Sequence, residues 1–280
     1  MIKVFFHKAD FDGVCSAVLI KEAYPECTLI PIDYSDEKPL YLIDKEDTVF
    51  MVDFAFEPFE YMIKLRDSCA RLIWIDHHKT AIEKAEEVRF KVDGLLDMKS
   101  SGCENTWKYL YQDKPMPDFV HYLGRYDVFD LYDKSTIYFE YGLKAEEDSL
   151  NPNASVWSKL LSDNNEVNRI IDNGKTVYAY YVNNNKEYFA KYGYFTVFKG
   201  LKALVLNRGL PTSMCFDSFW DPDKYDIMIA FCRSKDRWSI SFYSTKPEVD
   251  CANIAEEFNG GGHAGASGCS VENIDFLLRK

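Results

Sequence analysis

The chain is short of several things, and each shortage narrows what it can be. Its eight cysteines stand at positions 15, 27, 69, 103, 215, 232, 251 and 269, and no two form a C-x-x-C pair. That argues against a zinc ribbon. Their dispersal fits reduced, mostly buried thiols rather than a disulfide framework. No apolar run approaches the length of a membrane span. The apolar start Met1 to Phe6 runs at once into His7 and Asp10, unlike a secretory signal, so a cytoplasmic location is expected. Positive charge is scarce: Lys and Arg total 33 against 45 Asp and Glu, a formal net charge of -12. Sequence-independent binding of long duplexes needs a basic footprint and is not expected. A local basic pocket, or a divalent ion offsetting carboxylates, remains compatible. There is no internal repeat and no low-complexity tract.

What is present is a globular composition, 47% hydrophobic with 20 Phe and 19 Tyr in 280 residues, enough for an aromatic core and two domains. The pattern centres on Arg71 to His78. Arg71 to Ile75 reads as a buried strand, and Asp76, His77 and His78 follow at its end. Adjacent side chains diverge there, so the two imidazoles can take different tasks. A surface turn that happens to hold two histidines is the plain alternative. Two more strand candidates, near 2–6 and 48–52, also end in acidic residues or histidine. In an extended loop after the first, Asp10 and Asp12 would project to one side, and Gly13 would let the chain turn into a helix. A solvated turn or a helix N-cap is the ordinary use of such aspartates. Strands alternating with helices predict a doubly wound parallel sheet, with ligands outside the strands' carboxyl ends.

Further on, 59–68 is helix-like, Ser100 to Trp107 is a loop entering a helix, 117–126 is a helix followed by Asp127, and 143–155 is a polar loop. An amphipathic pattern over 164–192 predicts a connecting helix, which Gly174 interrupts at some cost. Its Asn183-Asn184-Asn185 run reads as solvated surface. Strands are expected at 194–198, 201–206, 225–232 and 238–243, a helix at 250–258, and then a glycine-rich stretch to Gly268. The fold class is therefore α/β. A catalytic domain over 1–163 carries the parallel sheet, 164–192 is a helical linker, and a smaller mixed α/β domain covers 193–280.

Aspartate and neutral histidine suit manganese-type ions, and carboxylates can bridge two cations. His7, Asp10, Asp12, Asp53, Asp76, His77 and Asp127 supply enough ligands for two divalent ions able to act on a phosphoryl group. A solvated acidic rim is the other use of such carboxylates. The glycines at 260–268 could expose N–H groups as an anion nest, with His263 beside them; an ordinary turn is the alternative.

These stretches resemble the DHH/DHHA1 phosphoesterases, the group of RecJ-type exonucleases, nanoRNase-type oligoribonucleases and exopolyphosphatase-like proteins. His7 with Asp10-Phe11-Asp12-Gly13, Asp53 after Met51-Val52, Asp76-His77-His78, and Asp127 after Gly124-Arg125-Tyr126 carry the N-terminal resemblance. Phe258 to Gly268 carries the DHHA1 one. The resemblance implies that His7, Asp10 and Asp53 hold one ion. It implies that Asp12, Asp53, His77 and Asp127 hold the other, with Asp53 as the bridge. Asp76 would be a supporting catalytic residue or weak ligand, and His78 would face the scissile phosphate. Gly260, Gly261, Gly262, His263 and Arg125 would bind substrate. Tyr243 stands where the family often has an arginine, offering one hydroxyl in place of a charged fork.

The expected activity is a hydrolase cleaving phosphodiester bonds of short oligonucleotides or small nucleotides with two divalent ions. Manganese is favoured, magnesium or cobalt being possible. A phosphoanhydride hydrolase of exopolyphosphatase type and a catalytically inactive scaffold are the rival readings. No membrane partner is expected.

Overall fold

The computed structural model describes residues 1–278. The chain divides into two compact units, Met1–Tyr178 and the part from Ala179 onward. In the first, the elements run β1 (Ile2–His7), α1 (Phe11–Ala23), β2 (Thr28–Ile32), β3 (Thr48–Val52), α2 (Glu60–Ser68), β4 (Arg71–Asp76), α3 (Lys79–Glu87), β5 (Asp93–Leu96), α4 (Gly102–Leu110), α5 (Asp118–Asp127), α6 (Lys134–Lys144), α7 (Ser155–Ser162) and α8 (Asn165–Tyr192). The five strands are all parallel, in the order β2-β1-β3-β4-β5.

The middles of β1, β3 and β4 are apolar on both sides because helices cover both faces of a parallel sheet. Val4, Phe6, Phe50, Val52, Ile73 and Ile75 face one core, with Val14 and Val18 of α1 and Leu123 of α5. Phe5, Val49, Met51, Leu72 and Trp74 face the other, with Met62 and Leu65 of α2. The strand order reverses between β1 and β3, so the crevice beyond their carboxyl ends is a topological switch point, where open α/β sheets bind ligands.

In the first unit, four of these elements had no counterpart in the sequence reading. α3 buries only Ile82 and Ala85, and β5 is a four-residue strand containing Gly94; neither has a readable period. α6 and α7 flank the stretch 143–155 read as a polar loop, taking only residues 143–144 and 155 from its ends.

α8 is continuous through Gly174, and the glycine has a packing reason. A Cβ there would lie 1.7 Å from the Tyr138 carbonyl oxygen, and one at Gly142 would lie 2.0 Å from that of Ile170. α6 and α8 therefore touch backbone to backbone. Helix propensity alone would make Gly174→Ala stabilising by about 1 kcal/mol; the clash reverses the sign, with overpacking costing roughly 1–3 kcal/mol or more. A lowered urea midpoint is expected for Gly174→Ala, and a raised one would show that the helices can separate freely.

The second unit holds the rest of α8 and then β6 (Gly193–Phe198), β7 (Leu201–Asn207), β8 (Ile227–Ser234), β9 (Arg237–Tyr243), α9 (Cys251–Glu256), β10 (Gly261–His263), β11 (Ala266–Val271) and α10 (Asp275–Leu278). Its sheet runs β10-β11-β9-β8-β7-β6. Among these strands β7 and β8 pair in parallel; the other pairs are antiparallel. Ala203, Val205, Ile227, Ile229 and Phe242 build one core with α9. Leu204, Leu206, Phe216 and Met228 build the other around Phe189 of α8.

The 164–192 segment is thus no free-standing linker: Val167, Ile170 and Ile171 belong to the first unit's core and Phe189 to the second's. The asparagine run is not all solvated either. Asn185 is buried, and its Nδ2 donates to the Met214 carbonyl oxygen at 3.4 Å.

Candidate metal centre

All six proposed ligands lie within the first unit, around the switch point. His7 ends β1, Asp53 follows β3, and His77 follows β4. Asp10 caps α1, its Oδ1 accepting from the Gly13 N–H at 2.9 Å, while Asp127 is the last residue of α5. The two aspartates of the D-x-D stretch do not project to one side, as the extended-loop reading expected. α1 starts at Phe11, so Asp12 sits inside its first turn, and the helical rotation sends the two carboxylates into different neighbourhoods.

One neighbourhood is His7, Asp10 and Asp53; another is Asp12, His77 and Asp127, the candidate ligand atoms of each group lying within 4.8 Å of one another. His7 Nδ1 is 2.6 Å from Asp10 Oδ2 and 4.0 Å from Asp53 Oδ2. His77 Nε2 is 3.3 Å from Asp53 Oδ1, 3.3 Å from Asp127 Oδ2 and 3.7 Å from Asp12 Oδ2. The Asp53 carboxylate therefore turns one oxygen to each group. Asp53 has a left-handed backbone, φ 51°, a conformation that aspartate tolerates better than most residues. Gly102 packs against it: a Cβ at that glycine would fall 2.7 Å from Asp53 Oδ1.

The electrostatics are those of a site short of positive charge. Asp53 Oδ1 and Asp127 Oδ2 are buried and accept no hydrogen bond. Burial, then repulsion from Asp12 and Asp10, pushes the Asp53 and Asp127 carboxyls well above the usual carboxylate range. Carboxylates with orphaned oxygens, mixed with imidazoles, form a donor set that fits divalent cations. Asp12 is anchored differently, its two oxygens accepting from the N–H groups of Gly102 (2.7 Å) and Cys103 (2.8 Å) at the start of α4.

A linked prediction follows for the metal-free protein. Folded Asp53 and Asp127 keep protons that the unfolded chain has lost above pH 3.8. For His7, burial lowers the pKa, but Asp10 more than offsets it, so the folded ring also holds its proton longer. Stability carried this way is lost as pH rises. In chelator, Tm should fall as pH rises above the ordinary carboxyl value of 3.8 and on past the ordinary histidine value of 6.5; at neutral pH with manganese it should hold, and loading should release protons measurable by calorimetry. A chelated protein equally stable across that range would contradict the site's charge balance.

The adjacent histidines do separate in environment. His77 is buried and faces the carboxylates described above. His78 places Nδ1 2.7 Å from Asp76 Oδ1. Asp76 is wholly buried. Its Oδ1 also accepts from the N–H groups of His77 (2.7 Å) and His78 (3.2 Å), and its Oδ2 from Trp74 Nε1 (3.2 Å). A carboxylate so fully engaged orients His78. For His78, burial works against the charged ring, but Asp76 more than offsets it and the pKa is pushed up to about 9.

Three residues expected to bind substrate have other work. Arg125 Nε donates to Glu104 Oε1 at 3.0 Å, and its Nη2 is bound to Glu104 Oε2. Glu104 itself closes the capping box of α4 with Ser101, so Arg125 secures the helix whose first N–H groups hold Asp12. Tyr243 donates its hydroxyl to the Pro211 carbonyl oxygen at 2.9 Å. Gly260 gives its N–H to the Ala255 carbonyl oxygen at 2.9 Å, capping α9, with Asn259 in the left-handed conformation (φ 58°) that such helix ends use. Gly261, Gly262 and His263 are exposed and pair with Gly268, Ser267 and Ala266 as an edge hairpin. Gly262 (φ 136°) needs to be glycine.

Sequence reasoning missed Gly102, Cys103 and Asn105. Asn105 Nδ2 bonds the carbonyl oxygens of Asp97 (2.9 Å) and Asp76 (3.3 Å). A capping box at Ser101–Glu104 was the available signal for the start of α4.

Residues 1–123 match the DHH family, N-terminal domain. A protein of Acanthamoeba polyphaga mimivirus, itself uncharacterized, is 26% identical over 257 residues, which cover 85% of this chain and 57% of that protein; the chain spans little more than half of that relative's length. Among solved structures, the DHH domain of a protein assigned to a family of ribosomal proteins aligns with a TM-score of 0.61 at 12% identity, covering 99% of this chain and 84% of that one. An exopolyphosphatase-related protein from Bacteroides fragilis gives 0.57 at 15% identity, covering 99% and 89%. A pGpG-specific phosphodiesterase from Vibrio cholerae gives 0.54 at 12% identity, covering 100% and 96%. At such identities these likenesses show the fold. Among the described residues, no helix is long and apolar enough to cross a membrane.

Proposed function

Starting from a DHH-family N-terminal domain over residues 1–123, we propose that the chain is a cytoplasmic metal-dependent phosphoesterase that hydrolyses phosphodiester bonds of short oligonucleotides or small nucleotides. The observation that carries this reading is the Asp53 carboxylate, placed between two ligand groups with a buried oxygen that accepts no hydrogen bond. His7, Asp10 and Asp53 would hold one divalent ion, and Asp12, Asp53, His77 and Asp127 the other, with manganese the favoured metal. Such ions, when bound, polarise phosphoryl oxygens and make water a better nucleophile. The chain's own contribution is positional. Asp76 keeps His78 cationic and turns its Nδ1 inward, so the ring presents Nε2 on its other side as a donor to a phosphoryl oxygen. In the second unit, the exposed Gly261, Gly262 and His263 are the proposed contacts for a substrate phosphate.

One assay panel tests this: dinucleotides, longer oligonucleotides, cyclic dinucleotides, nucleotide bisphosphates and polyphosphate, each with manganese and with magnesium. Dinucleotides should be cleaved fastest. Turnover of polyphosphate alone would replace the proposal with the phosphoanhydride reading. No turnover by protein carrying both metals would leave an inactive scaffold.

A further inference from the structure

A strand at the edge of a sheet presents a row of unpaired N–H and C=O groups to any other chain, and proteins blunt such edges with proline, charge or shortness. Among the described residues, three of the four sheet edges are blunted in this way. β2 carries Pro31. β5 is four residues long and begins Asp93-Gly94. β10 is three residues long, and two of them are glycine. The fourth edge is β6. Gly193-Tyr194-Phe195-Thr196-Val197-Phe198 has six residues, no proline and no charge.

The groups that β6 turns outward can be read from its neighbour. Val197 stands opposite Lys202 of β7. Lys202 spends its backbone on Asp226, just before β8: its N–H donates to Asp226 Oδ2 and its carbonyl oxygen accepts from the Asp226 N–H, both at 2.8 Å. Val197 and Lys202 are therefore a pair without hydrogen bonds, and Val197 turns its N–H and C=O away from β7. Pairs alternate along an antiparallel ladder, so Phe195 does the same. The side chains of these two residues share one face and are 57% and 68% exposed for Phe195 and Val197 respectively. The Phe195 ring is held in place, stacked on Tyr225 with centroids 5.3 Å apart.

Such a strand is complementary to itself. In an antiparallel pair of copies centred on Thr196, Phe195 of each copy meets Val197 of the other, and the outward N–H and C=O groups of both residues are satisfied. Thr196 meets Thr196 on the axis. Aromatic with β-branched, and threonine with threonine, are favourable cross-strand neighbours. Charge does not oppose the meeting. The net -12 of the chain would keep copies apart, but residues 179–280 hold 12 acidic and 12 basic side chains, so the excess lies in the first unit. Lys199, beside the strand, is already paired with Glu257.

We propose that β6 is a homodimer interface, through which two copies of the chain join their second-unit sheets about a two-fold axis at Thr196. The proposal is independent of what the first unit catalyses.

The test compares the full chain with Val197→Lys and Val197→Pro by sedimentation equilibrium. The parent should be a dimer, and each variant should dissociate on the order of tenfold or more readily: proline takes one hydrogen bond from each copy, and lysine restores the charge that guards other edges. The Val197 N–H has no partner inside one copy, so proline leaves the fold of the monomer intact, as circular dichroism should show. Amide exchange supplies the second measurement. The Phe195 and Val197 amides should be protected in the parent, and the Phe195 amide should exchange freely in both variants. In a third, Thr196→Cys should yield a disulfide-linked dimer on mild oxidation beyond anything the parent gives, since facing residues of such a pair have Cα atoms about 4.5 Å apart, within reach of a disulfide. A parent that sediments as a monomer at every concentration overturns the proposal. So does a dimer that neither variant weakens and whose Phe195 and Val197 amides exchange freely, because the copies then meet elsewhere. Protection of those amides in a monomer also overturns it, by showing that another segment of the same chain covers β6.

Discussion

Asp53→Asn should lower kcat/KM by about a thousandfold or more, equivalent to roughly 4 kcal/mol of barrier, while the circular dichroism spectrum stays that of the parent. Asparagine fits the same space, beside Gly102 and at the same left-handed backbone position. It removes the one negative charge that faces both ligand groups, with Oδ1 toward His77 and Oδ2 toward His7. Two cations would then lack the anion between them, and metal content should drop from close to two per chain to one or fewer. The substitution also relieves the repulsion that raises the Asp53 carboxyl, so the metal-free variant should be as stable as the parent or more so. Loss of activity therefore cannot be blamed on unfolding. A variant that keeps both ions and near-normal turnover would show that Asp53 is not the bridge.

The next largest effect is expected at Asp76. Asp76→Asn keeps an oxygen where Oδ1 accepts three hydrogen bonds but sets an amide against Trp74 Nε1. Some stability should be lost, about 1–3 kcal/mol for the unpaired donor. The larger consequence falls on His78, whose raised pKa depends on that carboxylate. With cations bound, like-charge repulsion brings the ring below its metal-free value; without Asp76 it falls further. The alkaline limb of the kcat profile should move to lower pH, and kcat at the plateau should drop by roughly 10²–10³-fold, the range for losing one donor to an oxyanion. His78→Gln should cost about as much, and the double variant little more, because the two residues act as one unit. An Asp76→Asn enzyme with an unshifted pH profile would separate His78 from the chemistry.

The parts of this site that could be read from sequence are those set by strand chemistry. Buried parallel strands appear as unbroken apolar runs, so β1, β3 and β4 stood out, and so did the acids and histidines at their ends. The parts that could not be read depend on partners distant in sequence. Nothing near Asp12 announces that the N–H groups of Gly102 and Cys103, 90 and 91 positions later, will hold it. The starting residue of α1 decided whether Asp10 and Asp12 pointed together or apart, and helix starts are poorly fixed by pattern alone. Arg125 and Tyr243 read as substrate contacts because their side chains suit that role. Glu104 and the Pro211 carbonyl, which engage them, are invisible until the chain has folded.

The division of the chain inside α8 bears on how this protein can be cut and recombined. The loop-like choice for a boundary, just before Gly193, would strip the second half of Phe189, which stacks on Phe219 with ring centroids 4.5 Å apart and packs against Phe216 at 5.8 Å. A piece beginning at Gly193 would open a wet slot along Leu204, Leu206 and Met228, with the aggregation that exposed apolar patches bring. One beginning at Ala179 brings its own plug, together with Tyr181 and Asn185. A chimera that grafts this half onto another parent should therefore be joined in mid-helix, between Tyr178 and Ala179, against the usual practice of splicing in loops.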